Sequence, residues 1–585
     1  MVDQKDLTVT QHDNIEARSQ SPSSTGDQEK GVAGSLQWPI DEEDYVVTFK
    51  TWVVVAILAS SYGVSFWIVP AIAACSTQVS TMLGDPTAGV WYTSLYTITN
   101  AIAFMICGAN SDLFGRRWFL IGGNVLLLVG HLMCGLAQNT TTMIAGFAII
   151  GFGAGNVQLG AFALPELLPN KWRHISVTIA DLGTWIAVLV GPVAGKYSVL
   201  HGDTWRWLFH APTIGAGLSI VGLFFLYHPP KHPRGLSFKQ ALKELDYVGG
   251  VLFILAGVNI LIGIVYTIII PSSSPKVIGL LVSGFAALIA FICYEHFFPP
   301  KQPLTPTHVF TKDKGREFTF PFIVGFVVTM FYYQTTIVWG TQCAVLFTTP
   351  TTTLRESLLM TLPSNVGLVF GEILLILFGT KIGHWKWTLT GSVTIMVVFG
   401  ALLALGTPER KGLMMAMAFL SQTGFGWAQM LSITFIQFGV PQIELGISGG
   451  LAGVSRFAGG AIAISVYSTI LANVQSSSAA KLIPAAATAA GLPAASLPSL
   501  FAALPLGAEA LAKVPGITTA IQAAAGGAVV QSYVDGLRIT ALTSLAFGII
   551  AIIACVCCND IGKKMNNKIE VFLENDVNAE KNEFH

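Results

Sequence analysis

Four ionisable side chains, Glu166, Asp181, Glu372 and Arg456, fall inside stretches that are otherwise apolar. A charge in such surroundings is expensive, so each needs a partner or a purpose. A carboxyl withdrawn from water holds its proton more tightly, and an approaching cation loosens that hold. A proton carrier requires that reversible response. Asp181 is the first candidate for it and Glu372 the second. The ordinary alternative for both is a structural bond to a backbone group or an arginine. Glu166 is flanked by Pro165 and Pro169 and followed by Lys171 and Arg173, which suits an ion pair closing the end of a helix. Arg456 can pair with a carboxylate or hold an anionic group of a ligand.

Neutral polar side chains recur near the middle of the same kind of stretch: Asn100, Asn156, Gln158, Asn259, Gln334, Asn365, Gln422 and Gln429. Aromatic residues accompany them, including Trp67, Tyr92, Trp185, Tyr332, Tyr333 and Trp339. A pocket with apolar and aromatic walls and few polar anchors suits a lipophilic polycycle better than a sugar or an ion. Trp and Tyr also mark membrane interfaces, so single aromatics say little. No nucleophile–base pair, phosphate loop or Cys/His spacing appears, so no enzyme, cofactor or metal is expected. Most of the eight cysteines sit in apolar runs and read as small buried hydrophobes; Cys557 and Cys558 are the pair placed for acylation.

A third cluster, Gly108 to Leu120 (G-A-N-S-D-L-F-G-R-R-W-F-L), puts Asp112, Arg116 and Arg117 between two long apolar runs, with Gly108 and Gly115 beside them. Glycines let two helices approach and turn tightly, arginines can bond carbonyls and carboxylates, and an acid suits the positive start of another helix. The expected partner of Asp112 is a helix beginning near Gly446–Ser448. Such a contact would form and break as a two-state latch.

These residues need a membrane around them. Hydrophobic residues make up 52% of the 585 and charged ones 11%, with 32 basic and 32 acidic side chains in balance. The mean hydropathy is +0.63. Such a chain lacks the polar atoms to cover a soluble surface, and neutrality disfavours a nucleic-acid partner. From Lys50 onward, about 14 apolar runs are each long enough to cross a bilayer core of about 30 Å. The expected fold is all-α: two six-helix bundles over 46–227 and 301–560, joined through 228–300, which holds an amphipathic loop and two extra central helices. A polar tail over 1–45 and another over 561–585 flank them.

Lysines and arginines of the short connections concentrate on one side: Arg116 and Arg117, Lys171 and Arg173, Lys312, Lys314 and Arg316, Lys381 and Lys386. That bias places both termini in the cytosol. On the other side, Asn139-Thr140-Thr141 is a glycosylation sequon, and 473–535 is rich in Ala, Pro, Ser and Gly. Proline breaks predict short interfacial helices there. Residues 228–246 begin with a proline break and continue as a basic amphipathic helix for the inner leaflet.

With the runs placed, Gly108…Asp112…Gly115-Arg116-Arg117 resembles the loop signature of the major facilitator superfamily. Gly191-Pro192-Val193-Ala194-Gly195 resembles the G-P-x-x-G bend of its antiporter branch, with Lys196 where a second glycine would stand. Trp205–Phe209 and Asp246–Gly249 resemble helix starts of the 14-span branch. Tyr62–Trp67, Ala161–His174, Pro229–Gly249 and Pro303–Thr307 are similar to the fungal trichothecene efflux pump family. One departure stands out: the arginine that many drug:proton antiporters carry in span 4 falls at Phe147.

The resemblance implies a 14-span transporter in which two bundles rock around a midplane site. It implies export of a lipophilic toxin, metabolite or drug by proton antiport. Uptake of an iron–siderophore complex by a related carrier is the alternative. The expected partners are the small molecule, protons and lipid, with the protein a monomer in the plasma membrane or, alternatively, a vacuolar or vesicle membrane.

Overall fold

The computed structural model describes residues 47–230, 238–349, 351–504, 508–574, 576–577 and 579–581. The expected tail over 1–45 lies outside them. Fourteen long helices are present: α1 (Phe49–Ala73), α2 (Gly89–Phe114), α3 (Arg116–Gly135), α4 (Thr140–Gln158), α5 (Arg173–Ser198), α6 (Trp207–Leu226) and α7 (Tyr247–Ile269), then α8 (Pro275–Phe297), α9 (Thr319–Thr341), α10 (Leu354–Ile382), α11 (Trp385–Leu402), α12 (Lys411–Phe438), α13 (Leu445–Ala489) and α14 (Thr519–Cys557). No strand occurs among the described residues. In lipid every backbone donor and acceptor must be met internally, and helices meet them within one segment.

Helices α1–α6 form one bundle and α9–α14 the other, while α7 and α8 pair with each other and lean on α2 and α13. The bundles meet mainly where α2 packs on α13 and α5 on α10. Glycine makes the closest approaches possible. A Cβ on Gly63 of α1 would lie 2.5 Å from the Gly183 backbone of α5, inside one bundle. A Cβ on Gly108 of α2 would lie 2.7 Å from the Gly446 carbonyl oxygen and the Gly450 Cα of α13, across the seam. Gly191 and Gly195 likewise press α5 onto Pro70 and Ala71 of α1, with Pro192 inside the helix.

Thirteen of the fourteen helices are long and apolar enough to cross a bilayer; α12 is the exception. Its Ser, Gln, Thr and Gly residues dilute its hydropathy, and from Gly424 to Phe438 nearly every side chain is enclosed by neighbouring helices. A helix shielded from lipid does not have to be greasy.

The expectation of short interfacial helices over 473–535 is corrected. Helices α13 and α14 run on well past a bilayer's width, 45 and 39 residues long, and form a paired extension. Residues 473–489 alone add about 25 Å at 1.5 Å per residue. Pro484 is absorbed within α13, and only the connection holds short helices, Leu497–Ala503 and Ala508–Leu511. Ile483, Leu492, Leu500 and Ile521 give this extension a small apolar core of its own.

All the even-numbered connections lie on one face, with the start of α1 and the end of α14; it is called the loop face below. The α2–α3 turn rests on Gly115, at φ +83°, and the equivalent α10–α11 turn on Gly383, at φ +58°. L side chains rarely adopt this region, which accounts for the glycine in both. In the 228–246 connection a helix forms over Phe238–Glu244 with its lysines exposed, and residues 231–237 lie outside the described residues.

Candidate functional site

Between the bundles lies a cavity of about 80 Å³. Helix α5 brings Asp181 to it two turns from the loop face, and α10 brings Glu372 from the other bundle. The two carboxyls are within hydrogen-bonding reach of each other. One turn beyond Asp181, the Trp185 indole N–H donates to Glu372 Oε2. From α13, Arg456 Nη1 donates to the Tyr62 hydroxyl of α1 at 3.3 Å. Two acids and one guanidinium therefore share a space walled by Phe66, Tyr332, Tyr333, Phe425 and Phe457.

Of the other expected cavity residues, Gln158 and Gln429 line it. Gln158 donates to Ser65 Oγ at 3.1 Å and to the Tyr96 hydroxyl at 3.0 Å, and Gln429 Oε1 accepts from Thr329 at 3.5 Å. Asn365 does not line it, but donates across the seam to the carbonyl of Val188, which does, at 3.0 Å. The remaining five do not line it either. Asn100 and Asn156 pack inside the first bundle between α2 and α4, and Gln334 and Gln422 are buried inside the second. Asn259 reaches Ser283 at 3.2 Å within the α7–α8 pair. Mid-span depth alone does not say which side of a helix faces the cavity. Residues of the cavity and seam that were not singled out are Thr184, Thr329 and the seam glutamines Gln437 and Gln442.

Phe147 is fully buried, stacked on Tyr92 at 5.3 Å and edge-on to Phe209 at 5.8 Å. The span-4 position thus holds an aromatic packing element. Arg456, from the opposite bundle, is the cation in the cavity. A larger groove of about 690 Å³ opens on the outside of the first bundle between α1, α5 and α6, and no ionisable side chain lines it.

The loop face is closed. Asp112 accepts from the Gly446 amide at 2.9 Å and the Ile447 amide at 3.0 Å, the first turn of α13. Arg116 pairs with Asp112 at 3.3 Å and also with Glu166. Gln442 reaches Glu166 from the second bundle, Gln437 donates to the Ala161 carbonyl at 3.0 Å, and His174 lies 3.1 Å from the Thr380 hydroxyl. Arg117 does not join the seam; it donates to the Phe224 carbonyl of α6 at 2.6 Å. On the opposite face, the exposed Asn139 caps α4, its Oδ1 accepting from the Thr142 amide at 2.8 Å.

Comparison with known proteins matches the sequence to a family. Residues 40–585 fit the family model described as fungal trichothecene efflux pump. The chain is 45% identical over 531 residues to MFS-type transporter prx5 of Penicillium rubens, covering 91% of this chain and 95% of that protein. It is 25% identical to Trichothecene efflux pump TRI12 of Fusarium sporotrichioides, covering 88% and 87%. Among solved structures, the human organic anion transporter MFSD10 superposes with a TM-score of 0.53 at 12% identity, covering 86% of this chain and 98% of that one. The proton:xylose symporter XylE gives 0.50 at 16%, covering 73% and 90%. These two likenesses speak to the fold.

Proposed function

We propose, from the premise that this chain belongs to the fungal trichothecene efflux pump family of the major facilitator superfamily, that it exports a lipophilic metabolite or toxin by proton antiport. The observation that carries the coupling is the inter-bundle meeting of Asp181 and Glu372 beside Arg456. Two carboxyls this close repel when both are ionised, so one proton between them relieves the pair. Because they ride on different bundles, separating the bundles changes the surroundings of both acids at once. Arg456, bonded to Tyr62, is placed to neutralise an acid that has lost its proton. This reading gives the missing span-4 arginine a substitute from the opposite side of the cavity.

The aromatic walls suit a lipophilic cargo, and Gln158 and Gln429 supply polar anchors. A cavity of about 80 Å³ is well below the roughly 300–1,000 Å³ of drug-sized sites. The form described has its loop face shut by Asp112, Arg116 and Glu166, with the cavity too small to hold such a cargo. The lysine and arginine bias supports a cytosolic loop face and cytosolic termini in a plasma-membrane protein. The relatives bear efflux names, which favours export over siderophore uptake.

Vesicles containing the protein, loaded with lipophilic fungal metabolites, test the reading. Transport that rises with an imposed pH gradient and stops when the gradient is collapsed supports it. Transport indifferent to the gradient removes the coupling.

A further inference from the structure

After α14 ends at Cys557, the chain does not leave the protein; it crosses the loop face from one bundle to the other. It first binds the bundle it comes from. The Asn559 amide donates to the Arg316 carbonyl at 3.2 Å, Asp560 accepts from the Lys386 amide at 3.0 Å, and Lys564 donates to the Phe438 carbonyl at 2.6 Å. It then pairs with the other bundle. The Lys171 amide donates to the Asn566 carbonyl at 2.6 Å, the Asn170 amide to the Lys568 carbonyl at 2.9 Å, and the Val571 amide to the Glu166 carbonyl at 3.0 Å. As one chain advances from 166 to 171 the other retreats from 571 to 566, which is the pairing sense of antiparallel strands.

Further along, the Glu574 amide donates to the His228 carbonyl at 2.9 Å, and Asp576 accepts from the hydroxyls of Thr48 and Thr51 at 2.5 and 3.0 Å, beside the start of α1. Ile569, Phe572 and Leu573 are buried. The segment is thus bonded to α9, α11 and α12 surroundings on one side and to α1, α5 and α6 surroundings on the other. It also lies against Glu166, the same residue that Arg116 and Gln442 hold in the seam.

We propose that residues 559–574, with Asp576, act as a clamp, a segment that bonds backbone to backbone with the Glu166–Lys171 linker, ties the two bundles together on the loop face, and leaves that linker each time the face opens. This rests on the two-bundle rocking described above, and on neither the proton coupling nor the cargo. Backbone bonds from Lys171, Asn170, Val571 and Glu574 are joined by side-chain bonds from Asn170, Thr48 and Thr51, and because they lie side by side along one segment they are made or lost together.

Hydrogen–deuterium exchange on the full-length protein in detergent tests this without a substrate. The amides of Gly446 and Ile447 are held by Asp112, and the clamp does not touch them. Val571→Pro removes the N–H that bonds Glu166 and should speed exchange at Gly446 and Ile447 about tenfold, a shift of about 1.4 kcal/mol in opening; Val571→Ala keeps the N–H and should stay near wild type. Fast exchange confined to Asn170 and Lys171, with Gly446 and Ile447 unchanged, overturns the proposal. If Val571→Pro does not fold, the double variant Lys171→Cys/Asn566→Cys decides. Its oxidised, locked form should exchange more slowly at Gly446 and Ile447 than its reduced form, and equal rates overturn the clamp. Failure of the proton coupling would leave all these rates as they are.

Discussion

Asp112 accepts a 2.9 Å hydrogen bond from the backbone amide of Gly446, and the two residues belong to different bundles, 334 positions apart. The bond sets a carboxylate against the first turn of a long helix, where exposed N–H groups and the helix dipole both favour negative charge. Asp112→Asn keeps the shape and removes the charge. Charge-assisted bonds of this kind are worth about 1.5–3 kcal/mol. The variant is expected to reach the membrane in normal amounts and to transport more slowly, because the closed state loses stability. Full transport by Asp112→Asn would reduce the loop to a topology signal.

Asp181→Asn and Glu372→Gln separate coupling from binding. Each removes a titrating carboxyl and keeps a similar volume. Gradient-driven transport is expected to fall at least about tenfold, equivalent to about 1.4 kcal/mol, while binding of a lipophilic ligand is retained. A pH gradient that still drives either variant at the wild-type rate would exclude that residue from the proton path.

Which parts of this were readable beforehand follows from what a sequence encodes. The apolar runs and the Gly108–Leu120 joint were legible because length, hydropathy and glycine spacing are local. Asp181 and Glu372 stood out because a charge in a greasy run is conspicuous. Their meeting was not legible, since it depends on how α5 crosses α10. Asn100, Gln334 and Asn259 misled because hydropathy gives depth, and helices apolar on most sides carry little stripe to give direction. The docking of 559–574 was hidden for a different reason. Its bonds, such as Val571 amide to Glu166 carbonyl, use backbone atoms that every residue possesses. The α13–α14 extension was missed because Pro484 reads as a break and is tolerated inside a packed helix.

Two glycines with similar crowding should fail differently. Gly63→Ala pushes a methyl into the Gly183 backbone within one bundle, where neither helix can yield, and overpacking of this kind costs about 1–3 kcal/mol. A lower melting temperature is expected. Gly108→Ala meets Gly446 and Gly450 across the seam, where the bundles can part. There the melting temperature should hold while the loop face opens, seen as faster exchange at Gly446 and Ile447. Equal loss of stability in both variants would contradict a mobile seam.

Acid should act on the loop face through Glu317. Partial burial works against its charge, yet Lys312 at 2.8 Å and Lys564 at 3.4 Å hold its carboxyl below the ordinary value of 4.5. A depressed carboxyl contributes stability above its ordinary value and loses it as pH falls through the lowered one. Docking of the segment that carries Lys564 should therefore be constant from neutrality to about pH 4.5 and weaken only below it. Limited proteolysis after residue 564, followed against pH, measures this; cleavage that begins to rise near pH 6 would implicate another group. Glu317→Gln should make cleavage faster and flatten its acid response.

Helix α12 bears on how the protein is made. A ribosome delivers helices to the membrane one after another, and each must be greasy enough to leave the translocation channel sideways or be kept until something shields it. Lys411–Phe438 falls short of that requirement on its own composition, yet ends up wrapped by α9, α10 and α11. All three precede it in the chain, so its shelter is already synthesised when it emerges. The order of the helices thus lets a wall of the cavity be inserted after the three helices that shelter it, against a surface waiting to receive it.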